Sequence, residues 1–311
     1  MEKILKVKSV NISNNKGTIK LPAEKIELTE RGITGDAHAG DWHRQVSLLA
    51  EESIREFSAI TGREYNYGEF AENITLSGMK MNECRPGDIL EGNAITLLVT
   101  QIGKKCHGTG CAIYTETGAC VMPKEGIFAK VIKGGTLKAG DELIYKPNVW
   151  KIGVITLSNR ASAGIYEDNS GPHLIHTLER YAAGINRKID FKYNLIPDSE
   201  EHLKATLQEL LNQNIDMVFT TGGTGIGPHD ITPDVVKTFL DKEIPGIMEF
   251  IRVKYGAQKP NALLSRGVAG IAGDTLIFTL PGSLGAVTEY LAEISPLLEH
   301  LIYMRMGLDT H

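Results

Sequence analysis

Apolar and polar positions follow two regimes along this chain. From residue 1 to about 146 the apolar residues come in short runs, such as Ile4 to Ile12, Ala94 to Thr100 and Ala129 to Ile132. Gly-Asn, Pro-Gly and Gly-Gly pairs punctuate them, as in short strands joined by tight turns. One amphipathic helix is predicted from about Leu48 to Ile60. The first half should therefore be mainly β, a barrel or sandwich with small helical inserts. Lys146-Pro147-Asn148 reads as a linker. From Val149 the pattern changes to alternating strand and helix. Lys151 to Leu157 reads as a buried strand, and Phe191 to Ile196, Met217 to Thr220 and Thr275 to Leu280 read as strands. Gly171 to Tyr181 reads as a helix, and Leu203, Leu207, Leu210 and Leu211 mark one face of another. Further helices are expected from about Asp234, Pro245 and Ser283. This βαβ order predicts an α/β domain with a mostly parallel open sheet and a crevice at its strand C-termini. The expected domains are 1–146 and 149–311.

The length of 311 residues fits two domains. A net charge of −5 without a basic stripe argues against nucleic-acid binding. The N-terminus alternates charged and apolar residues, as a strand does and a signal peptide does not. No apolar run approaches the roughly 18 residues that span a bilayer, so the cytoplasm is the expected compartment. Cys84, Cys106, Cys111 and Cys120 all lie in the first half. Without a secretion signal they are expected to be reduced thiols.

The chemistry concentrates in the run from Thr220 to Asp234, TTGGTGIGPHDITPD. It follows a strand and leads into a helix start, with Thr232 as cap and Pro233 in the first turn. A glycine-rich turn in that place leaves backbone N–H groups facing an anion. Thr221 and Thr224 add hydroxyls to Gly222, Gly223 and Gly225, and Asp230 sets a carboxylate at the rim. Anion donors beside a carboxylate suit a phosphate ligand carrying a divalent cation. The run is neither a dinucleotide fingerprint nor a P-loop.

This run resembles the signature of the MogA/MoaB-type molybdopterin adenylyltransferases, the family that includes the N-terminal domain of gephyrin. The resemblance extends to Glu167-Asp168-Asn169-Ser170-Gly171-Pro172, Leu195-Ile196-Pro197-Asp198, Leu264-Ser265-Arg266 and Leu280-Pro281-Gly282-Ser283. It implies that Asp198 and Asp230 are the catalytic carboxylates and hold Mg²⁺. It further implies that Ser170, Gly171, Ser265, Pro281, Gly282 and Ser283 join the glycine loop in binding substrate. On local grounds Asp198 could instead cap the next helix with Glu201, unless Ser199 does so. Arg266 could be a surface ion pair, and Pro281-Gly282-Ser283 a plain turn and cap. One position departs from the family: Ser158-Asn159 follows the first strand of this half where the family commonly has Ser-Asp. Asparagine hydrogen-bonds but brings no charge, so activity could be weakened or altered.

The first half resembles the MOSC domain, named for the C-terminal domain of molybdenum cofactor sulfurases. The matching pieces are Gly35-Asp36, Glu72-Asn73-Ile74-Thr75, Pro86-Gly87-Asp88, Val99-Thr100-Gln101 and Gly103-Lys104-Lys105-Cys106-His107. Cys106 matches the family cysteine. The neighbouring cations favour its thiolate, which suits a persulfide carrier. It could instead be an inert barrel residue, a cofactor ligand, or part of a zinc site with His107, Cys111 and Cys120, although that spacing is not a standard zinc pattern. Asp36, His38, Asp41 and His43 crowd one turn, read as solvated, with metal binding as an alternative; the resemblance places this segment on the cofactor side, which implies ligand binding, with Arg44 able to reach a phosphate.

Together the resemblances imply a protein of molybdenum or tungsten cofactor biosynthesis. Its substrates would be ATP and molybdopterin, its metal Mg²⁺, and its first domain a handler of sulfur or nascent cofactor. Partners implied are a cysteine desulfurase, molybdenum-insertion proteins and further copies in a trimer or hexamer. Two alternatives are a protein that binds and delivers molybdopterin without using ATP, and a MOSC-type reductase.

Overall fold

The computed structural model describes residues 2–104, 114 and 120–308. The chain forms two units, one holding the residues up to Asn148 and the other spanning Val149–Met306.

The first unit has strands β1 (Lys3–Ile12), β2 (Leu21–Ala23), β3 (Lys25–Thr29), β4 (Gly32–Ile33), β5 (Val46–Ala50), β6 (Ile74–Ser77), β7 (Ile89–Glu91), β8 (Thr96–Ile102), β9 (Ile127–Lys133), β10 (Gly135–Lys138) and β11 (Glu142–Lys146). Seven of them run in the order β11-β7-β8-β9-β5-β6-β1, and pairing of β1 with β11 closes the ring into a barrel. Strand β2 extends β1, while β10, β3 and β4 form a separate small sheet. Inward residues such as Leu5, Val7, Leu48, Leu76, Leu97, Val99 and Ala129 fill the barrel core. The helix expected from Leu48 begins later, at Glu51, and runs to Thr61. Residues Val46–Ala50 are all buried and form a strand instead. Leu48 enters the barrel core while Leu49 joins Ile54 and Phe57 of the helix in a second cluster. Burial on both faces erased the period-2 signal that would have marked β5.

The second unit contains β12 (Val149–Leu157), β13 (Lys188–Ile196), β14 (Met217–Thr221), β15 (Lys242–Glu243), β16 (Ala269–Ala272) and β17 (Thr275–Leu280). Their order is β13-β12-β14-β17-β16-β15. The pairs β12–β13, β12–β14 and β14–β17 are parallel, whereas β16–β17 and β15–β16 are antiparallel. The sheet is therefore mixed: β13, β12, β14 and β17 run parallel, as expected, and β16 adds an antiparallel part that the sequence reading did not foresee. Helices Ser170–Gly184, Glu200–Asn212, Pro245–Gly256 and Leu284–Ile294 accompany it. Among the described residues no helix is long and apolar enough to cross a membrane.

The chain leaves β12 for β13 on one side and later crosses to β14 on the other. That reversal opens a crevice at the strand C-termini, where α/β sheets bind ligands. Leu157 pairs with Ile196 and Thr221 with Leu280, so four strands end at one edge.

Candidate active site

Asn159, Asp198, the glycine loop and Pro281 each follow one of these four strand ends. The Asn159 backbone N–H donates to Asp198 Oδ2 (2.9 Å), and the Asp198 N–H donates to Asn159 Oδ1 (3.0 Å). Asp198 is thus clamped from the strand beside its own. It does not cap the next helix; Ser199 does, accepting from the His202 N–H.

The glycine loop is tightly tied. Gly222 has φ +106°, and a Cβ there would lie 2.4 Å from the Leu157 carbonyl oxygen. Gly223, at φ +64°, leaves no room beside Thr232 Oγ1. Thr232 does not cap its helix as expected. Its hydroxyl donates to the Gly222 carbonyl (2.9 Å), and helix Thr232–Lys237 starts from Ile231. The Thr221 hydroxyl donates to the Pro281 carbonyl (3.0 Å), and Gly282 packs against Gly222. The loop and the Pro281-Gly282 turn are therefore joined. Among the described residues the N–H groups of Gly223, Thr224 and Gly225 donate to no chain atom, and the Thr224 hydroxyl has no partner. Successive free N–H donors of this kind are the groups an anion would need.

Asp230 folds back over this loop and accepts the Gly227 N–H on Oδ2 (2.8 Å). Arg266 braces the loop from outside. Its guanidinium donates to the Gly225 carbonyl (2.7 Å) and to the Asp230 carbonyl, and it pairs with Asp234 (2.9 Å). The surface ion pair exists, but the same side chain fixes the loop. Ser265 accepts from the Tyr290 hydroxyl (2.9 Å) and sits beside Arg266. Ser283 caps helix Leu284–Ile294 by accepting from the Ala286 N–H.

Ser170 and Gly171 occupy a different arrangement. Asp168 accepts from Thr156 Oγ1 and Tyr193 Oη (both 2.7 Å), Ser170 Oγ (2.8 Å), Ser170 N (2.9 Å) and Gly171 N (3.0 Å). Burial pushes the Asp168 carboxyl up, but these donors outweigh it and hold it below its usual value. Burial and the Asp168 carboxylate push the Tyr193 hydroxyl up to about 12. The N–H groups of Ser170 and Gly171 are thus committed to Asp168.

In the first unit Cys106, His107 and Cys111 lie outside the described residues. Cys84 is buried, and burial pushes its thiol far up, which leaves it inert at neutral pH. The turn from Asp36 to His43 does not assemble a metal site: among the described residues no three His, Cys, Asp or Glu side chains are grouped to hold an ion. Asp36 is instead buried against Lys20 and accepts from Asn73 Nδ2 (2.9 Å). Burial raises its carboxyl, but the hydrogen bonds from His38 and Lys20 and the Lys20 charge hold it far below the carboxylate range.

A family model described as a probable molybdopterin binding domain matches residues 153–300. The molybdopterin adenylyltransferase of Helicobacter pylori strain J99 is 34% identical over 157 residues, covering 50% of this chain and 88% of that protein. The chain belongs to the molybdopterin-binding family. A MOSC domain model matches residues 35–144, so a MOSC domain precedes the molybdopterin-binding one. Gephyrin of Dictyostelium discoideum is 36% identical over 163 residues, and the chain spans only 23% of its length. A solved structure of the tungsten cofactor synthesizing protein MoaB from Pyrococcus furiosus is 34% identical, with a TM-score of 0.46, covering 51% of this chain and 98% of that one.

Two features of the molybdopterin-binding domain escaped sequence reasoning. The Asp168 hub needs Thr156 and Tyr193 from two strands, which no local pattern joins. The Arg266 brace could have been suspected from an arginine directly after Ser265.

Proposed function

We propose that the molybdopterin-binding domain transfers the adenylyl group of ATP to molybdopterin, in the synthesis of a molybdenum or tungsten cofactor. The supporting observation is the cradle of free N–H groups at Gly223, Thr224 and Gly225, set beside Asp230 at the sheet's C-terminal edge. The relatives named molybdopterin adenylyltransferase agree with it. In this reading the cradle holds the molybdopterin phosphate. An oxygen of that phosphate attacks the α-phosphorus of ATP, the α–β bridging bond breaks, and pyrophosphate leaves. The work of the protein is positioning and charge stabilisation. Asp198 and Asp230 each keep one carboxylate oxygen without a hydrogen-bond partner among the described residues. Such hard oxygen donors suit Mg²⁺, which when bound would neutralise triphosphate charge. Ser265, Pro281, Gly282 and Ser283 border the same edge and belong to the substrate surface in this reading. Ser170 and Gly171 act through Asp168, shaping the crevice wall. The MOSC domain handles sulfur or nascent cofactor, with Cys106 as its carrier.

The test is pyrophosphate release from Mg-ATP in the presence of molybdopterin. Native protein should release it, and Asp230→Ala should lose roughly 10²-fold or more of the rate. A folded native protein that binds molybdopterin yet releases none would overturn adenylyl transfer and leave delivery as the function.

A further inference from the structure

The segment that leaves β12 closes on itself at the edge where the four parallel strands end. Ser158 caps the short helix Asn159–Ser162 by accepting from the Ala161 N–H (3.2 Å). Gly164, at φ +71°, turns the chain back, and the Ile165 N–H donates to the Arg160 carbonyl (2.9 Å). The hydroxyl of the returning Tyr166 shares a hydrogen bond with Ser158 Oγ (2.9 Å). Its ring is thereby fastened to the residue that directly follows β12. The Arg160 guanidinium carbon lies 5.1 Å from the centroid of that ring. No carboxylate or other hydrogen-bond partner among the described residues engages this guanidinium, and Arg160 is exposed. The chain neighbour of Arg160 is Asn159, which is bonded to Asp198 in both directions.

The charge balance of the crevice gives this cation a task. The segments that follow the four strand ends are residues 158–169, 197–199, 222–231 and 281–283. They carry carboxylates at Glu167, Asp168, Asp198 and Asp230, and Arg160 is their only lysine or arginine. Arg266 reaches the glycine loop from another segment, but its nitrogens are committed to the Gly225 and Asp230 carbonyls and to Asp234. A triphosphate brings more negative charge than one cradle of N–H groups can balance, and that charge grows on the leaving oxygens as the phosphoryl bond breaks. An uncommitted guanidinium offers the planar fork that takes two phosphate oxygens at once. The anchored ring beneath it restricts the side chain to the crevice rim.

We propose that Arg160, steadied on Tyr166, binds the β- and γ-phosphates of ATP and stabilises the charge that departs with pyrophosphate. The inference rests on adenylyl transfer by this unit and names the side chain that holds its leaving group.

The test compares ATP, inorganic pyrophosphate and AMP as ligands of the full chain with Mg²⁺ present. AMP shares adenosine and the α-phosphate with ATP but lacks the two phosphates that Arg160 would grip. Arg160→Gln should weaken ATP and pyrophosphate at least about tenfold, as expected for loss of a charge-assisted fork, and leave AMP within about twofold. Pyrophosphate release at saturating ATP should also fall about tenfold or more. Arg160→Lys keeps the charge without the fork and should recover part of both losses. Tyr166→Leu removes the ring and spares the charge, and should weaken ATP about threefold. Equal losses for ATP and AMP in Arg160→Gln, or unchanged affinity for ATP and pyrophosphate, overturn the inference, while release by native protein leaves adenylyl transfer standing. Native protein that binds ATP and molybdopterin yet releases no pyrophosphate overturns adenylyl transfer; a selective loss of ATP in Arg160→Gln then still places Arg160 on the terminal phosphates. Native protein that binds no ATP overturns both. Should Arg160→Gln melt early, the ratio of ATP to AMP affinity in Arg160→Lys decides, and an unchanged ratio overturns the inference.

Discussion

At the scale of single residues, Asn159 shows what a departure visible in sequence leaves open without coordinates. The missing charge was legible; the geometry was not. Its side chain supplies an acceptor to the Asp198 N–H, while the bond to the Asp198 carboxylate comes from its backbone. Aspartate would offer the same acceptor, so the difference between them is charge. Asn159→Ala should slow pyrophosphate release about fivefold, the effect of one hydrogen bond worth ~1 kcal/mol. Asn159→Asp should stay within about threefold. A hundredfold loss in the aspartate variant would instead mean that the amide itself meets substrate. Glu72 was legible only as part of a motif. It is fully buried, with Oε1 accepting from Gly68 and Thr75 and Oε2 unpartnered. Burial lifts its carboxyl from 4.5 to about 7, against the partial relief of those hydrogen bonds. Between these values the folded barrel keeps a proton that the unfolded chain has released. The resulting stability is complete below about 4.5 and lost as pH rises through about 7. Calorimetry should therefore show the barrel transition falling between about pH 5 and 8, and Glu72→Gln should flatten that fall. Parallel curves for the two proteins would refute the assignment. Lys20, buried beside Asp36, had no sequence signal at all, because lysine is rarely found inside.

At the scale of elements, the central parallel strands β12, β14 and β17 were legible because strands covered on both faces leave continuous apolar runs. The antiparallel part was not. Strand β16 is only Ala269–Ala272, and its small residues carry little pattern. Yet Gly273-Asp274 joins it to β17 as a two-residue turn, with Gly273 at φ +56°, and such a pair is a known hairpin signal. The glycine loop was legible as a strand-to-helix turn, but the reason for each glycine needed the fold. Gly222 is required twice, by its left-handed backbone and by the Leu157 carbonyl lying where a side chain would begin. Gly222→Ala should thus cost roughly 2 kcal/mol or more. The expected outcome is a lower melting transition for the second unit with the barrel transition unmoved. An unshifted melt would show that the loop relaxes freely, which would also weaken its reading as a preorganised cradle.

At the scale of the whole molecule, each unit has a hydrophobic core of its own, inside the barrel in the first and against the mixed sheet in the second. Every group proposed to act in adenylyl transfer belongs to the second unit. Cys106 belongs to the segment matched by the MOSC model. If each unit performs its own chemistry, damage to one should spare the other in single-reaction assays. Cys106→Ser should then leave pyrophosphate release within about twofold of native, because no thiol takes part in phosphoryl transfer. Asp230→Ala should remove release while leaving the Cys106 thiol as reactive toward a maleimide as in native protein. Fusion itself would matter only where one unit consumes what the other makes, by raising the local concentration of a shared intermediate. That benefit is invisible when each substrate is supplied in excess. It should emerge in a coupled assay at low molybdopterin, where the intact chain outperforms an equimolar mixture of Asp230→Ala and Cys106→Ser proteins. Equal rates for the two would mean that the intermediate is released to solvent between steps. Loss of pyrophosphate release in Cys106→Ser would overturn the division of labour, making the first unit part of the adenylylation reaction itself.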